Sequence, residues 1–295
     1  MEERKRCYDL HSHSTASDGT LTPRALVERA VSQGVDVLAL TDHDVLDGLA
    51  EALEAAALRG LTLVPGVEIS VTWASRVIHI VALGVDPENS DLQKGLEGLR
   101  ELREIRADEM GRRLAKAGIE GAAEGARILA GGQVVSRTHF ARFLIERGLA
   151  KDFKAAFRRY LKPGRPGYVG CEWVALEVAL DWILKASGQA VIAHPARYSL
   201  SRVKLQALVD DFKGAGGCAL EVVSSSHNPG EVRQMAALAN ANGLLSSVGS
   251  DFHTPEQAWG ELGRIGPLPV ACTPIWHDWQ DNPLQGYDKG LVASV

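Results

Sequence analysis

Short runs of aliphatic and β-branched residues recur along the chain at Cys7–His11, Val35–Thr41, Leu61–Ile69, Val77–Leu83, Ala190–His194, Cys218–Val223 and Leu244–Gly249. Their length and composition predict buried strands. Between most of them the apolar positions switch to helical spacing. Pro23–Gly34 carries a Thr22 N-cap and Pro23 in its first turn, and Leu46–Arg59 closes on Gly60. Strand and helix alternate, which predicts a parallel α/β architecture. Within 68–85 only Thr72–Arg76 separates two strands, too little for a crossover helix, so an antiparallel or bent connection is expected there. Seven strands instead of eight predict a distorted, TIM-like (β/α)7 barrel.

Residues 94–165 break this rhythm. A charged helix at Leu96–Ala117, a Gly/Ala-rich stretch at Gly118–Gly132 and further helices through Leu161 predict a helical insertion, and Lys162–Gly167 supplies a turn back to the core. The expected organisation is a first barrel part (1–93), a helical cap (94–165), a second barrel part (166–275) and a C-terminal tail (276–295). Of the 295 residues 45% are hydrophobic and 23% charged, the balance of an ordinary globular chain with one barrel-sized domain. No apolar run approaches the roughly 18 residues of a membrane span, and the N-terminus MEERKRCYDLHSHS has charge without an apolar signal core, so a cytoplasmic location is expected. Cys7, Cys171, Cys218 and Cys272 form no C-x-x-C pair, which fits buried thiols rather than a zinc ribbon or disulfide framework. Net charge is −5, yet 94–165 holds 17 Lys and Arg against 9 Asp and Glu. A solvated helical surface accounts for part of that excess; a basic segment beside an acidic site also suits a polyanion such as a nucleotide.

The candidate chemistry lies in His11, His13, Asp18, His43, Glu68, His79, His194, Asp251 and His253, nearly all at the carboxyl ends of predicted strands. Side chains two apart on a strand face the same way, so His11 with His13, and Asp251 with His253, can converge across a barrel mouth. His79 alone, within Val77-Ile-His-Ile-Val81, reads equally as a hydrogen-bonded core histidine. Nine such groups together have no use in an ordinary core. Imidazole and carboxylate without thiolate suit two or three divalent ions, with Mn²⁺ favoured and Fe²⁺ or Zn²⁺ as alternatives, over Ca²⁺ or a Cys-rich zinc site.

His11-Ser-His-Ser14, Asp18-Gly19, Thr41-Asp-His-Asp44, Gly66-Val-Glu68, His194-Pro195 and Gly249-Ser-Asp-Phe-His253 resemble the motifs of the polymerase and histidinol phosphatase (PHP) family. The resemblance implies a PHP barrel with a trinuclear site. His11, His13 and Asp251 would then bind one metal, Glu68 would bridge to a second held by His79 and His194, and Asp18, His43 and His253 would hold the third. Ser136-Arg-Thr-His-Phe-Ala-Arg-Phe-Leu144, Tyr160-Leu-Lys162 with Gly167-Tyr-Val169, and Ala193–Leu200 further resemble the bacterial ribonuclease AM group. That likeness implies removal of the 3′-phosphate from 3′,5′-bisphosphonucleotides and 5′-to-3′ hydrolysis of short 5′-phosphorylated RNA.

Phosphoester hydrolysis needs a nucleophile at neutral pH, neutralised phosphoryl charge and help for the leaving alkoxide, all of which a metal cluster can supply. Arg137, His139 and Arg197 are candidates for a second phosphate, with Lys162 extending the path; a surface salt bridge (Arg137) or a basic turn (Lys162) are the plainer accounts. Arg197 is also a candidate catalytic group, as is His227 on the loop after Val223-Ser-Ser-Ser226, which could protonate the leaving group. The tail Pro274–Trp279 reads as aromatic packing on the barrel or as a nucleobase platform. Histidinol phosphatase and a non-catalytic metal-binding or polymerase-accessory module are the alternatives. The basic insertion ill suits the cationic histidinol phosphate. Nucleotide or short RNA is the expected partner; the sequence suggests no membrane contact or obligate protein partner.

Overall fold

The computed structural model describes residues 6–256 and 260–279. The strands are β1 (Tyr8–Asp9), β2 (Val37–Leu40), β3 (Thr62–Trp73), β4 (Arg76–Leu83), β5 (Val174–Ala175), β6 (Gln189–Ile192), β7 (Ala219–Ser224) and β8 (Leu245–Gly249). Seven of them form one sheet in the order β1-β2-β3-β4-β6-β7-β8, with β5 paired to β3 off that path. The Leu10 amide donates to the Val248 carbonyl at 3.0 Å, so the sheet nearly closes into a barrel.

The distortion has a local cause. Trp73 pairs with Arg76, leaving Ala74 and Ser75 as a two-residue turn with φ of 46° and 61°. A hairpin of that kind reverses the chain. β4 therefore runs antiparallel to both β3 and β6, while the other neighbours on the barrel path are parallel.

The helices are α1 (Pro23–Ser32), α2 (Leu49–Arg59), α3 (Ser90–Lys116), α4 (Ala122–Ala130), α5 (Arg137–Glu146), α6 (Phe153–Ala156), α7 (Leu176–Lys185), α8 (Arg202–Gly214) and α9 (Pro229–Ala241). Thr22 caps α1 by accepting from the Ala25 amide, and α2 ends on Gly60 at φ 67°. α3 starts six residues before the expected helix because the Asn89 side chain accepts from the Asp91 and Leu92 amides. The Gly/Ala-rich stretch folds into α4, and α6 runs into a π-turn at Phe157–Leu161.

Alternation along β2 separates two cores. Val37 and Ala39 face Leu10, Val64, Val81 and Val191 in the barrel interior, while Leu38 and Leu40 face Leu26, Ala30, Ala52 and Ala56 of α1 and α2. The helices from α3 to the π-turn share a core of their own, including Met110, Leu114, Phe140, Leu144 and Leu161. In the tail, Trp276 stacks on Tyr8 at 4.1 Å and Trp279 donates to Gln189, the arrangement of aromatic packing. Residues 280–295 of the expected tail lie outside the described residues. Among the described residues no helix is long and apolar enough to cross a membrane.

Candidate metal centre and substrate pocket

The segments that follow β1, β2, β6 and β8, together with the middles of β3 and β4, bring the nine side chains to one point. His11 and His13 follow β1, Asp18 sits before α1, His43 follows β2, Glu68 lies in β3, His79 in β4, His194 follows β6, and Asp251 and His253 follow β8. Parallel bridges between Ser12 and Phe252 and between His43 and Glu68 hold these ends in register. His194 and Asp251 adopt positive φ (30° and 54°), as does Asp44 (53°). Non-glycine residues rarely do this, at about 1–3 kcal/mol each, and such strain gathers at functional sites where the surroundings enforce it. Gly249 makes the closest approach possible: a Cβ there would lie 2.3 Å from the His11 Cβ.

Glu68 is the hub. Its Oε1 lies 2.9 Å from His79 Nδ1 and 3.0 Å from His194 Nε2. Its Oε2 lies 2.9 Å from His43 Nδ1 and 3.4 Å from both His11 Nε2 and His13 Nε2. Asp251 Oδ1 is 3.5 and 3.3 Å from the same two nitrogens, and Asp18 Oδ1 is 3.2 Å from His253 Nε2 and 3.9 Å from His43 Nε2. The donor atoms form overlapping groups within 4.8 Å: His13, Asp18, His43 and His253; His11, Glu68 and His194; His11, His13 and Asp251; His43, Glu68 and His79.

These contacts satisfy protons poorly and cations well. Asp18 Oδ1, Glu68 Oε2, His43 Nδ1 and His194 Nδ1 are buried without a hydrogen bond, although His43 Nδ1 and Glu68 Oε2 are within 2.9 Å of each other. Burial would raise the Glu68, Asp18 and Asp251 carboxyls, but the histidines around them outweigh it and hold all three well below the usual carboxylate range. Burial pushes His13 down to about 3 and His79 to about 4, leaving neutral rings with free lone pairs. Ionised carboxylates and neutral imidazoles are the donor forms a metal requires. At His253 burial is overcome by Asp18 and Asp251, which push it up to about 9; a divalent cation would take over the role of that proton.

A second layer orients the donors. Glu221 accepts from the His194 amide at 2.8 Å and lies 3.1 Å from His11 Nδ1, an arrangement that turns His11 Nε2 toward the nest. Asp42 accepts from the Ser14 amide and from the hydroxyls of Ser14 and Ser17, clamping the loop that carries Asp18. Ser136 at the start of α5 donates to Asp18 Oδ2 at 2.9 Å, so the insertion touches the nest directly. Sequence reasoning missed Glu221; its signal is a carboxylate inside the buried run Ala219–Ser224.

Above the nest the insertion roofs a cavity lined by Arg103, Arg106, Arg137, Phe157, Tyr168 and Trp173. Arg103 pairs with Asp44 at 2.6 Å. Arg106 is buried, lies 4.9 Å over the Trp173 ring, and has no carboxylate partner among the described residues; Arg137, 5.9 Å from the Phe157 ring, has none either. Arg197 reaches the cavity edge and donates to Asp251 Oδ2 at 2.6 Å.

Three expected substrate or catalytic residues are placed elsewhere. His139 is buried, and its Nδ1 accepts from the Ser136 amide at 3.1 Å in a capping box for α5; burial pushes it down to about 4, so it is a neutral cap and not a phosphate-binding cation. Lys162 is exposed on the turn after the π-turn and does not line the cavity. His227 is buried beyond β7 with Nδ1 3.1 Å from the Val222 carbonyl, also outside the cavity lining, which removes the geometric basis for a leaving-group acid.

The PHP domain family model matches residues 9–163. The chain belongs to the PHP domain family. It is 46% identical to the 3′,5′-nucleoside bisphosphate phosphatase of Chromobacterium violaceum over 95% of this chain and 99% of that one. It is 47% identical to the 5′-3′ exoribonuclease Rnm of Escherichia coli over 92% and 94%. Among solved structures, an amidohydrolase from Chromobacterium violaceum with bound sulfate and no metal superposes with a TM-score of 0.89 at 46% identity, covering 92% of this chain and 95% of that one. The PHP nest of this chain thus keeps an oxygen and nitrogen donor set able to hold metal ions.

Proposed function

We propose that this PHP protein is a metal-dependent phosphoesterase that removes the 3′-phosphate of 3′,5′-bisphosphonucleotides to give 5′-mononucleotides. The same site would release mononucleotides from the 5′ end of short 5′-phosphorylated RNA. Both reactions cleave at the 3′ oxygen of a 5′-phosphorylated nucleotide, so one site serves both. The observation that carries the reading is the pairing, in one cavity, of the nine-donor nest with two guanidinium groups, the buried Arg106 and the half-buried Arg137, that have no carboxylate partner among the described residues. The names of the two relatives support it from sequence.

His11, His13 and Asp251 would hold one ion, Glu68 with His79 and His194 a second, and Asp18, His43 and His253 a third. The donor set favours Mn²⁺, with Fe²⁺ or Zn²⁺ as alternatives. When bound, such ions neutralise phosphoryl charge and make water nucleophilic near neutral pH. Arg197, anchored on Asp251, aims its guanidinium at the phosphoryl oxygens beside the nest. Arg106 and Arg137 bind the 5′-phosphate under the roof, where the phosphate relieves their mutual repulsion. Phe157 and Trp173 exclude water around that contact. The arginine roof also argues against histidinol phosphate, whose cationic amine would meet like charge. The four cysteines form no disulfide, which fits a cytoplasmic enzyme.

The test is phosphate release with Mn²⁺ from adenosine 3′,5′-bisphosphate, 5′-AMP and histidinol phosphate. Turnover of the bisphosphate alone is expected; turnover of histidinol phosphate in its place would overturn the assignment.

A further inference from the structure

The cavity does not end at the nest. It opens into a second groove that shares Val77, Tyr168, Cys171 and Arg197 with it and runs outward beside the β3–β4 turn, past Thr72, Ser75 and Arg76. Two guanidinium groups, Arg76 and Arg197, line this groove, and no Asp or Glu among the described residues does. Arg76 is exposed, and its one side-chain hydrogen bond among the described residues is a 3.4 Å contact to the Tyr198 carbonyl. Opposite it, a Cβ placed on Gly170 would meet only the Tyr168 hydroxyl, at 3.8 Å, so the passage is open there. Tyr198 ties the groove to the centre: its hydroxyl accepts from the His79 amide at 2.9 Å and its ring packs 5.5 Å from that of His194.

We propose that this groove binds the nucleotides on the 3′ side of the scissile phosphate of a short RNA. The inference rests on the phosphoesterase reading above. With the 5′-phosphate under Arg106 and Arg137 and the scissile phosphate at the nest, a bisphosphonucleotide is fully accommodated. An RNA has a strand continuing from the scissile phosphate and needs an exit that a polyanion tolerates. The groove leaves the nest at Arg197 and meets Arg76 further out, two cationic groups along one path that a phosphate backbone can follow, and Tyr168 at the junction offers a ring for a base. In the reaction water adds to phosphorus and the bond from phosphorus to the 3′ oxygen breaks. That oxygen takes a proton and leaves with the mononucleotide. The phosphate remains on the strand held in the groove as its new 5′ end, ready to move under the roof for the next cycle.

The experiment compares wild type with Arg76→Ala and Arg76→Glu on a 5′-phosphorylated RNA pentamer and on adenosine 3′,5′-bisphosphate, at several salt concentrations. Arg76→Ala is expected to lower kcat/KM for the pentamer about threefold or more, through KM. Arg76→Glu should lower it further, with the bisphosphate unchanged in both. The slope of log KM against log salt for the pentamer should fall by about 0.7 in Arg76→Ala, the loss of one single-strand phosphate contact. Equal losses on both substrates, or no change on RNA, would overturn the proposal. Wild-type turnover of the bisphosphate without any of the pentamer would remove the groove's role and leave the phosphoesterase reading standing, while turnover of neither would remove that reading itself.

Discussion

Replacing Arg106 by Met removes a buried charge and keeps an unbranched stem over Trp173. The native guanidinium is 9% exposed, without a carboxylate partner among the described residues. Burial first, then repulsion from Arg103 and Arg137, push it from 12.5 down to about 9. A cation whose folded pKa is depressed destabilises the fold at every pH below that value, and the cost is relieved only as pH rises past about 9. At pH 7 it is present in full. At about 1.4 kcal/mol per pH unit the upper bound is about 5 kcal/mol. Loss of the cation–π contact and relaxation around the charge reduce the expected gain in Arg106→Met to about 2 kcal/mol. For a chain of this size that raises Tm by about 3 °C, read by thermal unfolding of the substrate-free protein. The same change should lower kcat/KM on adenosine 3′,5′-bisphosphate by about 10- to 150-fold, the worth of one charge-assisted hydrogen bond. Adenosine 3′-monophosphate, which lacks the 5′-phosphate, should be hydrolysed as by wild type. A lowered Tm would show that the buried charge does not destabilise the fold, and equal losses on the two substrates would show that Arg106 does not hold the 5′-phosphate.

Other substitutions probe the layers beneath the nest. Glu221→Gln weakens the acceptor behind His11 and His194 and should reduce metal affinity by about 10- to 100-fold, measured by calorimetric titration; unaltered affinity would remove Glu221 from its orienting role. Gly249→Ala places a methyl 2.3 Å from the His11 Cβ, where backbone on both sides cannot give way. It should cost about 1–3 kcal/mol in unfolding experiments and lower the bound metal per chain, and a wild-type melt with full metal content would contradict this. Ser136→Ala removes the cap of α5 together with the hydrogen bond to Asp18, an expected loss of about 1 kcal/mol; stability equal to wild type would show the cap to be dispensable.

The barrel was legible because its strands are short, buried and β-branched, and the antiparallel β4 because Thr72–Arg76 leaves no room for a helix. β5 escaped notice since a two-residue strand has no periodicity to read. The convergence of the nine candidate donors was legible for a related reason: histidine and carboxylate at the ends of apolar runs have no solvent to face. Arg103 and Arg106 were not singled out, because within a charged helix they resemble a solvated face. Their signal is positional. Leu92, Leu96, Leu99, Arg103, Arg106, Met110 and Leu114 follow one another at spacings of three and four along α3, so the two arginines occupy its buried stripe. His139 and Lys162 show the converse: residue type suggested a phosphate ligand, but a capping box claims the first and an exposed turn the second. Nothing local to 227 in the sequence distinguishes a loop that enters the cavity from one that packs beyond β7.

The nine-donor nest is proposed as a catalytic metal centre. Its most direct test is to strip the protein of metal, restore Mn²⁺ in steps, and follow ions bound per chain together with phosphate released from adenosine 3′,5′-bisphosphate. A catalytic centre gives no release from the stripped protein and release that rises with binding until two or three ions are held. Release without metal, or a filled nest that releases no phosphate, would contradict it.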